Sequence, residues 1–303
     1  MPYPSRSFQP EGERQSFTHS ADDGALGMRV GSVRARVEPT CRPSPRPRRA
    51  VETRAARGAK RVEWMRAPVS WLERVVVVPA SEASVVRRGV YCDWTLDARD
   101  ALEVYAYRGG LVTCAMACVG AAAAHAAGRF QVAEYAAACA DAALGASLAL
   151  VHVYVKPIKD SMRALWAVGS TGVAWIAVFG DAPLTEYVCA HRESMLAVGW
   201  TFAAFTGLAF KEGMCYGKVE AGALFFGVPI MCLSHLFGAS EDARATALVV
   251  NLALLSVFAA RKFTQELHAD VGDKSVFMFQ AMSEAEREVF LAEARASGRD
   301  VWD

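Results

Sequence analysis

Apolar positions along the chain fall into long blocks and not into the alternating or one-face stripes of a water-soluble fold. Between Leu111 and Val155 the only acidic or basic side chains, histidine aside, are Arg129, Glu134 and Asp141. A helical reading gives six apolar stretches: Leu111 to Ala127, Tyr135 to Val155, Ala164 to Phe179, Met195 to Phe210, Ala223 to Phe237 and Val249 to Ala260, the last with a start as early as Ala245. At about 1.5 Å of rise per residue these reach the lower end of what crosses a bilayer core. A soluble bundle of such helices would lack amphipathic outer members to cover it. The pattern therefore predicts an all-α fold: a polytopic transmembrane helix bundle of about six spans, with a small N-terminal β-prone segment and a C-terminal soluble helix.

The flanks read differently. Val75 to Pro79 and Ser84 to Cys92 are β-prone and are expected to pair as a hairpin, with Pro79 ending the first strand. Asp97 is placed to cap a helix from Ala98 to Tyr107 that leads into the first span. Ser283 and Glu286 form a capping box that opens an acidic helix through about Ala296. The expected organisation is a disordered basic segment over 1–65, a small soluble segment with a juxtamembrane helix over 66–108, the membrane bundle over 109–262 and a tail over 263–303.

Composition sharpens this. Of 303 residues, 53% are apolar and 21% charged, and the mean hydropathy is +0.17, which favours a membrane protein. The near-zero net charge hides a split: residues 1–60 hold twelve Lys and Arg against six Asp and Glu, leaving 21 against 26 for the remainder. Seven of the twelve prolines lie before residue 48, in a segment too poor in apolar surface to fold. Two readings fit it, a disordered basic tail or a cleavable organellar targeting peptide. From Met28 onward the Arg-rich, acid-poor sequence suits targeting, whereas Glu11, Glu13, Asp22 and Asp23 suit it less. With no folded module or interleaved aromatics, nucleic-acid binding is not expected.

Loop charges give a topology. With six spans one face receives Arg99, Arg108, Lys156, Lys159, Arg163, Lys211, Lys218, Arg261 and Lys262, and the other only Arg129, Arg192 and Arg244. Lysine and arginine accumulate on the side from which helices insert, so both termini are expected on the cytoplasm-equivalent face, the stroma of a plastid. Small residues recur within the spans, as in Gly169-Ser-Thr-Gly172, which predicts close helix packing. Pro229, inside the fifth span, predicts a kink.

Ionisable groups at membrane depth are functional candidates by cost alone. Glu134, Asp141 and His152 are spaced to form one polar stripe on the second span, either as an inter-helix clamp or as an ion path. His125 and His235 are expected near the lumenal face, and Lys211 with Glu212 near the stromal one. A b-type haem needs two facing imidazoles, and His125 with His235 is the pair at equal depth, so the cofactor question stays open. The eight cysteines show no Cys-x-x-Cys pair and no zinc spacing, so no metal site is expected. No phosphate-loop or nucleophile-elbow pattern occurs, and no catalytic residue is assigned.

Four segments carry a resemblance: Tyr105-Ala-Tyr-Arg-Gly-Gly-Leu111, Leu150-Val-His-Val-Tyr-Val-Lys-Pro157, Gly207-Leu-Ala-Phe-Lys-Glu-Gly-Met-Cys215 and Asp270-Val-Gly-Asp-Lys-Ser-Val-Phe277. In these the chain resembles the uncharacterised integral membrane proteins of cyanobacteria and plastids grouped as domain of unknown function 2301, over about residues 84 to 280. The resemblance implies a photosynthetic membrane and about six helices, and supplies no activity. Three classes follow as expectations. The first is a non-enzymatic factor assisting assembly or maintenance of thylakoid complexes, with Lys211, Glu212, Asp273 and Lys274 as stromal contacts. The second is a small transporter using Asp141 and His152, and the third a membrane enzyme or haem carrier. The lipid bilayer is the expected partner in each, with photosynthetic complexes added in the first.

Overall fold

The computed structural model describes residues 76–83 and 85–296. The basic segment 1–65, with its targeting reading, lies outside the described residues.

A short helix α1 (Ala80–Ala83) precedes a two-stranded antiparallel sheet, β1 (Arg87–Arg88) and β2 (Asp93–Trp94), paired Arg87 to Trp94 and Arg88 to Asp93. This corrects the expected hairpin: both strands lie at or beyond the second β-prone run. The valines of the first run, Val76 and Val78, instead pack on a small core with Trp94, Leu96, Val104, Leu267 and Val271.

Six long helices follow: α2 (Ala98–Ala126), α3 (Phe130–Leu150), α4 (Lys156–Phe179), then, after the short α5 (Leu184–Ala190), α6 (Met195–Tyr216), α7 (Val219–Leu236) and α8 (Glu241–Arg261). Short helices α9 (Leu267–Val271), α10 (Lys274–Gln280) and α11 (Glu284–Ala296) complete the described chain. Asp97 caps α2 through the backbone N–H groups of Arg99 and Asp100, and the Asp100 side chain returns a bond to the Asp97 N–H. The juxtamembrane helix and the first span are thus one continuous helix of 29 residues.

Five of the six long helices are long and apolar enough to cross a membrane. The sixth, α3, is diluted by Glu134 and Asp141, yet its 21 residues reach about 32 Å at 1.5 Å per residue and run back along α2. Outward-facing Met116, Val168, Trp175, Leu196, Phe226 and Ile230 are exposed, an apolar surface suited to lipid and unsuited to water.

Close packing comes from small residues. A Cβ on Gly169 would fall on the Thr201 backbone nitrogen, and one on Gly172 would lie 2.6 Å from the Ala197 carbonyl oxygen. α4 and α6 therefore approach backbone to backbone, as dispersion-driven association in lipid favours. Leu111, Leu148, Leu208, Leu224 and Phe258 fill the centre with no exposed surface. α7 continues as helix through Pro229.

Candidate functional site

One end of the bundle is built around Glu212, near the C-terminus of α6. The side chain has no exposed surface, and four donors close on it. Tyr107 Oη donates to Oε1 at 2.8 Å and Lys211 Nζ to the same oxygen at 3.0 Å. Lys218 Nζ and Lys262 Nζ reach Oε2 at 3.2 and 2.7 Å. Two donors per oxygen fill the acceptor sites of a carboxylate. That completeness matters because a buried ion pair recovers its desolvation cost only with full hydrogen bonding.

Lys262, also fully buried, passes the network on by donating to Asp270 Oδ1. Arg108 Nε donates to Asp270 Oδ2 at 2.7 Å, and its guanidinium also reaches the Glu266 carbonyl at 3.0 Å. Tyr216 Oη accepts from Lys211 at 3.2 Å and donates to the Ala269 carbonyl at 2.7 Å. The Lys262 ammonium lies 4.9 Å from the centre of the Tyr107 ring, adding a cation–π contact. Five elements, α2, α6, the α6–α7 turn, the end of α8 and α9, are thereby tied at one depth.

Asp273 and Lys274 belong to a neighbouring clamp. Asp273 accepts from the Val90 N–H at 2.7 Å and caps α10 through the Ser275 N–H. Lys274 Nζ donates to Asp97 at 2.7 Å and Asp100 at 2.6 Å. Glu82 accepts from the backbone N–H groups of Leu267 and His268, each at 2.9 Å. Tyr91 stacks on Phe279 with ring centres 4.0 Å apart. Segments on either side of the bundle in sequence are thus latched together. Burial works against the Glu82 charge, but these N–H groups and the His268 ring hold its carboxyl below the ordinary value.

The three stripe candidates take different places. Asp141 accepts from Ser170 Oγ at 2.6 Å and Thr201 Oγ1 at 3.2 Å, joining α3 to α4 and α6. His152 lies beyond the end of α3, because that helix stops at Leu150, so helical spacing no longer relates it to Asp141. Its Nε2 lies 3.4 Å from a Glu103 carboxylate oxygen, and its ring packs edge-on to Phe277. Glu134 stays on α3, seven residues before Asp141.

At the opposite end His125 Nδ1 lies 3.2 Å from Thr185 Oγ1, and His235 Nε2 donates to the Val188 carbonyl at 2.9 Å. Both imidazoles therefore gather at α5. Arg244 approaches the other His235 nitrogen at 3.4 Å, so both nitrogens of that ring are engaged and the donor set does not suit an axial haem ligand. Among the described residues no group of three or more His, Cys, Asp or Glu is placed to hold a metal ion.

Residues 146–279 match the family model DUF2301, described as an uncharacterized integral membrane protein. The match covers 134 of the 303 residues. No curated protein and no solved structure matches it. The matched residues include Lys211, Glu212, Lys218, Lys262, Asp270, Asp273 and Lys274, whereas Tyr107 and Arg108, which complete the cluster, come from a helix before them. Of the sequence candidates Lys211 and Glu212 sit in this cluster, and Tyr107, Arg108, Lys218, Lys262 and Asp270 were not singled out. The available signal was position: Tyr107, Arg108, Lys218 and Lys262 lie close outside the ends of apolar stretches, on the face that collects the positive charge, whereas Asp270 is ten residues past the last stretch.

Proposed function

We propose that this integral membrane protein is a non-enzymatic factor of the plastid, seated in the thylakoid membrane with both termini stromal, that assists assembly or maintenance of photosynthetic complexes. The observation that carries this reading is the closed state of three ionisable groups that reach into the bundle. Glu212, Lys262 and Asp141 are each satisfied by side chains of the same chain, an arrangement that fixes shape and leaves no obvious reacting group. The location rests on the Arg-rich, acid-poor N-terminal sequence, on the resemblance in the motifs quoted above, and on the excess of lysine and arginine at the clustered end.

Affinity purification from native thylakoids, with partner identification and an absorbance spectrum, tests the reading. Co-purification with a photosystem intermediate is expected, and normal complex levels in a null mutant would overturn it. Protease treatment of intact thylakoids tests the topology separately. A C-terminal tag is expected to be digested from the stromal side, and a protected tag would reverse the orientation.

A further inference from the structure

The buried cluster contains more cations than carboxylates. Arg108, Lys211, Lys218 and Lys262 face Glu212 and Asp270, and the adjoining Arg261, whose guanidinium donates to Glu220 at 2.6 Å, adds a balanced pair. Each of the four cations contacts a carboxylate, but two carboxylates are shared among four cations, so the group carries a net +2 in a region that water reaches poorly. Net charge held away from water is costly, so the arrangement favours an anion beside it.

The structure provides a place for one. A groove of about 300 Å³ is lined by Tyr216, Lys218, Arg261, Thr264, Gln265 and Ala269. It lies between the α6–α7 turn and the end of α8, at the basic end of the bundle, where lipid headgroups meet a membrane protein. Lys218 Nζ uses two donors, on Glu212 Oε2 and on Gln265 Oε1 at 2.6 Å, and an ammonium carries three. Arg261 holds Glu220 through one nitrogen, while its side chain remains 55% exposed and keeps further N–H donors in a fork suited to phosphate oxygens. Tyr216 and Gln265 direct their own donors to Ala269 and Asp270, so the cationic pair defines the recognition.

We infer that this groove binds a phosphate-bearing anion, either the headgroup of an anionic lipid or free phosphate, through Lys218 and Arg261. The test uses the purified full-length chain in detergent and follows its thermal unfolding in four arms: phosphatidylglycerol, phosphatidylcholine, inorganic phosphate, and sodium chloride matched in ionic strength. Stabilisation by phosphatidylglycerol beyond phosphatidylcholine identifies a lipid headgroup, and stabilisation by phosphate beyond chloride identifies the free anion. Arg261→Gln is expected to weaken the responding ligand about fivefold to tenfold. Arg261→Lys should restore part of that affinity, and Arg129→Gln, an exposed cation elsewhere on the chain, should leave it unchanged. Equal responses in all four arms, or an undiminished response in Arg261→Gln, would overturn the assignment. If Arg261→Gln does not fold, the four arms on the unaltered chain still decide it.

Discussion

Glu212 Oε2 and Lys262 Nζ stand 2.7 Å apart, and neither side chain has any exposed surface. Breaking such a pair from one side leaves the other charge buried alone, at about 3–5 kcal/mol. Glu212→Gln should lose that much, since Lys211, Lys218 and Lys262 all lose their shared carboxylate. Pairing it with Lys262→Met removes one stranded charge, so the double variant should be less destabilised than the sum of the two single variants. A double-mutant cycle on thermal unfolding in detergent measures the coupling. Strict additivity would mean that the two side chains do not stabilise one another.

The α4–α6 contact offers a comparison between two glycines. Gly169 faces the Thr201 backbone with no room for a methyl group, whereas nothing lies within 4 Å of a Cβ built on Gly120. Gly169→Ala should push the helices apart and cost about 1–3 kcal/mol, as overpacking does. Gly120→Ala should be neutral or stabilise by up to about 1 kcal/mol through helix propensity. Melting temperatures of the two variants, prepared in the same detergent, test the contrast, and equal effects would argue against the close crossing.

Asp141 separates a structural clamp from an ion path. Its two oxygens accept one hydroxyl each, from Ser170 and Thr201. Asp141→Asn keeps one acceptor and the shape, so a loss of about 1 kcal/mol is expected, whereas Asp141→Leu strands both hydroxyls at about 1–3 kcal/mol. Flux in liposomes should be the same for the unaltered chain and Asp141→Asn. A drop in flux with unchanged melting would instead assign the carboxylate to transport.

The block pattern of apolar residues was enough to locate the six long helices, and their ends were less legible. The second stretch was expected to start at Tyr135 and run to Val155, but the helix begins at Phe130 and stops at Leu150. An apolar run such as Val151 to Val155 does not distinguish helix from extended chain by composition alone. The capping residues Asp97 and Ser283 were readable because a cap is a local event, and both act as caps. The cluster was not readable as a unit: Glu212 and Asp270 are 58 positions apart in sequence, and only the fold brings Lys262 between them. Arg108, Lys218 and Lys262 entered the sequence argument as charges marking one side of the membrane, with no hint that the same charges were buried and paired.

The latch that joins the segments flanking the bundle should respond to pH in opposite ways at its two ion contacts. Glu82 is held below its ordinary 4.5 in the folded chain: burial opposes the charge, and the His268 and Leu267 N–H groups and the His268 ring outweigh that opposition. A carboxyl lowered on folding stabilises fully above its ordinary value, and the contribution disappears as pH falls through the folded value. Lys274 is shifted the other way. Its burial disfavours the ammonium, but Asp100 and Asp97 hold the proton more tightly than usual, above 10.5. That contribution is complete below the ordinary lysine value and is lost as pH rises through the raised one. Asp97, whose burial is outweighed by the same ammonium and by backbone N–H groups, is lowered and adds to the acid side, while Asp100, raised by its burial and by the neighbouring Asp97 charge against the pull of Lys274, opposes part of that effect. The latch should therefore hold across the neutral range and loosen below about pH 4.5 and in strong alkali. Hydrogen exchange at the Leu267 and His268 amides reads it directly. Glu82→Gln should speed exchange at neutral pH and flatten the acid limb, leaving the alkaline limb to Lys274→Met, and an acid limb as steep in Glu82→Gln as in the unaltered chain would show that Glu82 is not its source.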